Sequence, residues 1–119
     1  MQVKKILVGL LFVASSVQAG DATVSWTLPT TYEDGSALPT SEITTVTIYY
    51  GTTASGPYAN SKIITSKPLP TSTVITGLGK GTWYFNGTIT ATNGLESAQS
   101  LEVNKQVWGS SKPRPPTLN

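Results

Sequence analysis

Glu33 and Asp34 are the side chains whose type and spacing most suggest chemistry, because they are adjacent carboxylates. Paired carboxylates serve in general acid-base catalysis and as oxygen ligands for Ca²⁺. Gly35 follows directly, however, and Asp before Gly is typical of a tight turn. No third oxygen ligand lies near the pair in the sequence. We therefore interpret this stretch as a turn and predict no metal site.

Other groups that enzymes commonly use are absent, since the 119 residues include neither His nor Cys. Without His there is no imidazole to act as a base or metal ligand near neutral pH. Without Cys there is no thiolate nucleophile and no disulfide. The 6 acidic residues are scattered along the chain. The sequence predicts a protein that is not an enzyme, uses no cofactor and is stabilised by packing alone.

Residues 1–19, MQVKKILVGLLFVASSVQA, have the three parts of a secretory signal. Lys4 and Lys5 give the charged start, and Ile6 to Val13 give an apolar run far shorter than the roughly 20 residues of a membrane-spanning helix. Small residues precede Gly20. We predict cleavage after Ala19 and export to the periplasm, the cell surface or the medium, with no stable membrane span. An uncleaved anchor is the alternative.

Loss of this segment also removes the basic excess. Without Lys4 and Lys5 the 8 basic residues fall to 6, which equals the 6 acidic residues. A nucleic-acid-binding domain requires a basic patch. The sequence therefore predicts no nucleic-acid partner.

Residues 20–109 show alternation of apolar and polar residues, punctuated by Gly, Pro, Asn and Asp, and no helical period. This pattern is typical of an all-β domain, and two packed sheets are its economical arrangement. The predicted strands are Ala22 to Thr27, Ile43 to Tyr50, Lys62 to Ser66, Thr73 to Thr76, Trp83 to Thr92 and Leu101 to Val107.

Facing is predicted from the parity of each strand. Trp26 and Trp83 are in phase with apolar residues and are assigned to the core rather than to glycan stacking. A β-bulge at Asn86-Gly87 would exchange the faces of the longest strand. The predicted core comprises Trp26, Ile48, Tyr50, Leu78, Tyr84, Phe85 and Ala91.

Several stretches together resemble the fibronectin type III family, in the version of exported bacterial or phage-associated proteins. ATVSWTLPTTYEDGSAL is similar to its second strand and the following loop, and ITTVTIYYGTTASGPY to its third strand and exit. TSTVITGLGKGTWYFNGTITATNGLES is similar to its fifth and sixth strands, and SLEVNKQV to its last. The resemblance implies an immunoglobulin-like sandwich. It leaves open whether Trp83 or Tyr84 makes a tyrosine-corner-like contact.

The start of the domain departs from this family, whose first strand pairs with the second. Here the second strand begins two residues after the predicted cut, so we expect the first strand to be short or missing. Thr23, Val24 and Ser25 would then lie at an open edge, which is a template for a foreign strand.

The Pro-rich tail, residues 110–119, reads SSKPRPPTLN at its end and resembles the opening of a further module. The first of three interpretations is a polyproline-like stub. The second is that Pro116 to Asn119 of one molecule adds as a strand to Ala22 to Trp26 of the next, which would give open chains. A partner protein that donates the strand is the third. The PRPP spacing also matches polyproline ligands. An exported bacterial protein would seldom encounter the domains that bind such ligands.

Tyr32, Tyr49 and Tyr58 are the tentative binding residues, because the first and third lie in predicted loops and the second has outward parity. They suggest an exported binding or adhesion module that contacts a protein or surface glycan through the loops Thr30 to Leu38 and Thr52 to Tyr58. The alternative is a structural subunit of a cell-surface or virion assembly, joined at the open edge. The glycosylation pattern at Asn86 falls within a strand and is interpreted as coincidence.

Overall fold

The computed structural model describes residues 11–15, 20–107 and 115–118. The predicted cleavage site and most of the predicted tail lie outside the described residues. The described chain forms strands and one short 3-10 helix, Thr40–Glu42, and no helix in it is long and apolar enough to cross a membrane. The strands are β1 (Leu11–Ser15), β2 (Ala22–Thr27), β3 (Ile43–Gly51), β4 (Asn60–Ile64), β5 (Ser72–Ile75), β6 (Gly81–Ala91) and β7 (Val103–Val107).

The strands form two antiparallel sheets, with the orders β1-β2-β5 and β4-β3-β6-β7. The longest pairing joins β3 to β6, from Ile43 opposite Ala91 to Gly51 opposite Tyr84. Apolar residues at alternate positions of these strands, such as Ile48 and Phe85, belong to the core cluster. The predicted all-β, immunoglobulin-like sandwich is therefore confirmed.

Alternation within the strands builds the core, as β2 shows: Ala22, Val24 and Trp26 are buried, and the Thr and Ser residues between them are more exposed. This is the pattern of a strand with one face on the core. The predicted core residues confirmed by burial are Trp26, Ile48, Leu78, Phe85 and Ala91, and Tyr50 packs against the cluster they form.

A short first strand is present, and it is formed by residues that the sequence assigns to the export signal. β1 pairs with β2 in a register that runs from Leu11 opposite Thr27 to Ser15 opposite Thr23. β2 therefore lies between β1 and β5 in the full chain, and Thr23, Val24 and Ser25 are not at an open edge. The physical reason is that pairing satisfies main-chain groups of β2 that would otherwise require water.

β6 runs without the bulge expected at Asn86-Gly87, and its register against β3 is continuous there. The irregularity lies in β3 instead, between Ile43 and Thr45. Because β6 keeps one parity, Phe85 faces the core and Tyr84 lies on the outer face, half-buried and outside the core cluster. The assignment of Tyr84 to the core is therefore wrong. Trp83 packs against the cluster and lies 6.0 Å from the Tyr50 ring.

The chain between β6 and β7 continues the edge of the sheet by a different chemistry. β7 pairs with β6 only from Gly81 to Phe85. Beyond that point Ser97 and Ser100 each take the place of a strand residue: the serine N–H donates to a β6 carbonyl, and the serine hydroxyl accepts the N–H of the same β6 residue. The β6 residues involved are Ile89 and Gly87, so their main-chain groups remain paired.

Candidate functional site

Tyr32 lies in the core rather than on an exposed loop. The segment around it closes on itself, since Thr31 bridges to Ala37 and the Tyr32 N–H donates to the Ser36 carbonyl at 2.8 Å. The side chain is 2% exposed, and its hydroxyl donates to Glu42 Oε1 at 2.7 Å. This hydrogen bond raises the pKa of Tyr32, and burial adds to the shift. The expectation that Tyr32 is a surface contact residue is therefore wrong.

Tyr49 lies on the outer face of the four-stranded sheet, as its parity predicts. It is half-buried, and its hydroxyl donates to Glu96 Oε2 at 2.7 Å. The same carboxylate oxygen accepts the Thr88 hydroxyl. The hydrogen bond to Glu96 is the main reason that the pKa of Tyr49 is raised. The phenol ring is thus held in one position by a carboxylate from the segment after β6.

Tyr58 lies at one end of the sandwich, in the connection between β3 and β4. Its hydroxyl donates to Glu102, which also accepts the Ser55 N–H at 2.7 Å. Removal from solvent, followed by the hydrogen bond to Glu102, raises the pKa of Tyr58 from 10.0 to about 12. Glu102, the residue just before β7, therefore connects this loop to the start of β7.

These three tyrosines do not come together in one site. Each is paired with a different glutamate, at separations of 10, 47 and 44 residues for Tyr32, Tyr49 and Tyr58. Sequence reasoning missed the glutamates, because no spacing links residues so far apart in the chain. The alternation of β3 did give the outward position of Tyr49.

The outer face of the four-stranded sheet is exposed at Ile63, whereas Thr47, Asn86 and Thr88 on the same face are buried. Ile63 of β4 is 66% exposed and pairs with Thr47 of β3, two residues from Tyr49. Tyr84 lies on the same face at the other end, opposite Gly51. Alternate residues on adjacent strands are near neighbours on one face of a sheet. We call Ile63, Tyr49 and Tyr84 the outer-face residues.

The β1 side of β2 has a defined hydrogen-bonding pattern. The Trp26 N–H donates to the Thr71 carbonyl at 2.9 Å, on the β5 side. In an antiparallel sheet alternate residues of a central strand direct their main-chain groups to opposite neighbours. Val24 therefore also pairs toward β5, and Thr23, Ser25 and Thr27 direct their N–H and C=O groups toward β1. The buried residues of β2 are the ones that make no main-chain bonds to β1.

Asp34, one of the two carboxylates first considered for chemistry, has a structural role. Asp34 accepts the Ser36 N–H at 2.9 Å and the Ser36 hydroxyl, which is the turn predicted for Glu33-Asp34. No group of three or more potential metal ligands occurs among the described residues. Asn86 is 3% exposed and its amide donates to Gln99 Oε1 at 3.3 Å, so the glycosylation pattern lies inside the fold.

Two antiparallel sheets of this order, with β3 and β6 at the centre of the larger one, define the fibronectin type III fold. The chain is similar to the third fibronectin III domain of the human KIAA0343 protein, with TM-score 0.62 and 17% identity over 94% of this chain and 90% of that one. It is also similar to a fibronectin type III domain of the human KIAA0970 protein, with TM-score 0.65 and 16% identity over 96% of this chain and 85% of that one.

A third similar structure is a polysaccharide deacetylase from Bacillus cereus, with TM-score 0.57 and 12% identity. The match covers 83% of this chain but 30% of the deacetylase chain. No family model and no curated protein matches the sequence. At these identities the likeness establishes the fold, which commonly serves as a binding or structural module, and leaves function to be argued from sites.

Proposed function

We propose that this protein is an exported, non-catalytic binding or adhesion module that contacts a protein or a surface glycan. The contact surface is the outer face of the four-stranded sheet together with the loop at Tyr58. The loop from Thr30 to Leu38 has a smaller part, because its aromatic residue, Tyr32, is directed into the core.

The observation that carries this proposal is that an exposed Ile lies next to a Tyr whose hydroxyl is hydrogen-bonded. Ile63 is 66% exposed, and the neighbouring Tyr49 is held by Glu96. A tyrosine whose ring is already immobilised loses little entropy when it binds, and its amphipathic ring suits both proteins and sugars. The exposed Ile63 next to such an anchor supports a contact surface at this position.

The use of the acidic residues supports a non-catalytic function. Glu42, Glu96 and Glu102 each accept a tyrosine hydroxyl, and Asp34 closes a turn. The chain contains no His and no Cys to act with them. Export is supported by the composition of residues 1–19, as argued above.

The test uses the exported protein, labelled and added to cells of the organism that produces it and to a panel of purified cell-surface polysaccharides. We expect saturable binding that Ile63→Ser and Tyr49→Ser each weaken about tenfold, which corresponds to ~1.4 kcal/mol. Val74→Ser is the matched control, since Val74 is 41% exposed on the other sheet. Equal binding by all three variants, or no binding by the parent protein, would refute the proposal.

A second candidate function is favoured by one specific observation. β2 accepts β1 as a neighbouring strand, and β1 is formed by residues of the predicted export signal. Removal of that signal would leave β2 ready for a strand from another chain. The protein would then be a structural subunit of a cell-surface or virion assembly, joined by strand addition.

A further inference from the structure

We propose that β1 pairs with β2 only until the signal is cleaved after Ala19. Residues 116–119 of a second copy of this chain then take its place beside β2. This inference rests on the second candidate function and adds the partner, the register and the event that permits assembly.

The edge that cleavage would expose lacks the protection found at the other edges of the sheets. β4 carries Lys62 and β7 carries Lys105. The free side of β5 is covered by Lys62, whose Nζ donates to the Val74 carbonyl at 3.1 Å. Ala22–Thr27 contains no charged residue and no Pro. Charged side chains and Pro are the usual means by which edge strands avoid pairing with other chains, so β2 without β1 is open to strand addition.

The register of β1 shows which positions of a replacement strand must form main-chain hydrogen bonds. Val13 lies opposite Ser25, and Ser25 directs its main-chain groups toward β1, so this is a hydrogen-bonded pair. The positions opposite Trp26 and Val24, occupied by Phe12 and Ala14, are not hydrogen-bonded. A replacement therefore makes its main-chain bonds opposite Thr23, Ser25 and Thr27. Opposite the buried residues it needs no donor, only an apolar side chain.

The tail meets this requirement from Pro116 onward. Pro116 has no N–H, so it is tolerated only at a position that makes no ladder bond. In the β1 register that position is opposite Trp26. Leu118 then lies opposite Val24, and the N–H of Thr117 is directed at Ser25. The same parity that accommodates the proline thus brings the leucine over the core.

The tail is also available and long enough. Residues 115–118 are exposed, and Leu118 is 89% exposed. Residues 116–119 fill four of the 5 positions of the strand they would replace, and Pro115, which has no N–H to donate, lies opposite Thr27 at the end of the ladder. Each copy would offer a tail and accept one, and such head-to-tail contacts give open chains unless the rotation closes a ring.

The experiment compares the size of the exported, processed protein with that of four tail and surface variants, by light scattering on size exclusion over a range of concentrations. Intact mass establishes that residues 1–19 are gone. We expect concentration-dependent oligomers for the parent protein.

Two matched pairs of variants test the register. Thr117→Pro removes the N–H directed at Ser25 and should leave monomers, whereas Leu118→Pro removes an N–H that points away and keeps an apolar side chain, so it should still assemble. Leu118→Asp should leave monomers, whereas Leu101→Asp, at a residue 81% exposed in the segment before β7, should assemble. None of these positions lies in the core, so loss of folding is not expected to confuse the result.

A lysine-flanked LFVAS peptide, which has the sequence of β1, should dissolve the oligomers in excess, and a scrambled peptide should not. Monomers at every concentration would overturn the inference, as would equal behaviour of the two proline variants or oligomers that retain residues 1–19. Those results would leave the cell-binding proposal standing, because it concerns the outer-face residues and is decided by the Ile63 and Tyr49 variants.

Discussion

The hydroxyls of Ser97 and Ser100 take the place of strand carbonyls beside β6, and removing them should destabilise the fold. Ser97 Oγ accepts the Ile89 N–H at 3.1 Å, and Ser100 Oγ accepts the Gly87 N–H at 3.0 Å. In each case the serine N–H donates to the carbonyl of the same β6 residue, at 2.8 and 2.9 Å. Replacement by Ala removes one acceptor and keeps the other bond.

The expected loss follows from burial. Ser97 is 6% exposed, Ser100 8% and Ile89 0%, so water has little access to the N–H groups left unpaired. An unsatisfied buried donor costs about 1–3 kcal/mol. The two serines share no hydrogen-bond partner, so their effects should roughly add to ~2–6 kcal/mol. A loss of 1 kcal/mol lowers the melting temperature of a domain of this size by about 4–8 °C.

Urea unfolding followed by circular dichroism measures the effect in Ser97→Ala, Ser100→Ala and the double variant. Ser66→Ala is the control, because it removes the same atoms from an exposed loop residue. Ser97→Thr keeps the hydroxyl and should restore part of the stability. If the two alanine variants lie within about 0.5 kcal/mol of the control, the ordinary scatter of surface substitutions, these hydroxyls do not satisfy the β6 donors and the reasoning is wrong.

Two further predictions concern aromatic residues. The folded-state pKa of Tyr58 is raised from 10.0 to about 12, so its contribution to stability is fully present below pH 10 and is lost as the pH rises toward 12. The free energy of unfolding should therefore fall less steeply between pH 10 and 12 in Tyr58→Phe than in the parent protein, and an equal slope would contradict the raised pKa. Trp26 is 5% exposed within the core, and Trp26→Ala should cost about 3–5 kcal/mol in chemical denaturation. A cost below 1 kcal/mol would contradict its burial.

Alternation along the sequence was sufficient to predict the strands that the core requires. The residues of β2 alternate without interruption, and the same holds for β3 from Val46 and for β6, so Ile48 and Phe85 could be assigned to the core directly. Tyr84 is assigned to the wrong face because Gly87 inside the strand suggests a bulge there. The continuous hydrogen-bonded register with β3 overrides that local signal.

Other features depend on contacts that no local pattern contains. The burial of Tyr32 requires Glu42 as an acceptor and the closure of its own loop. The sequence of β1 is an apolar run without alternation, which suits an export signal as well as a strand. Ser97 and Ser100 lie in a segment with no strand periodicity. Their hydrogen bonds to β6 are therefore visible only in the three-dimensional structure.

The three tyrosine-glutamate pairs explain how a chain without disulfides fixes its connecting segments. Tyr32 joins the loop after β2 to the turn before β3, Tyr49 joins β3 to the segment after β6, and Tyr58 joins the loop after β3 to the residue before β7. Each phenol is a neutral donor to a carboxylate, and the pKa of each is raised for that reason in part. The same carboxylates are thereby engaged in holding loops, and Tyr49 is held on the outer face in the position that a binding surface needs. Under the proposed function, the Tyr49–Glu96 pair would serve both stability and binding, so a change at Glu96 should weaken both.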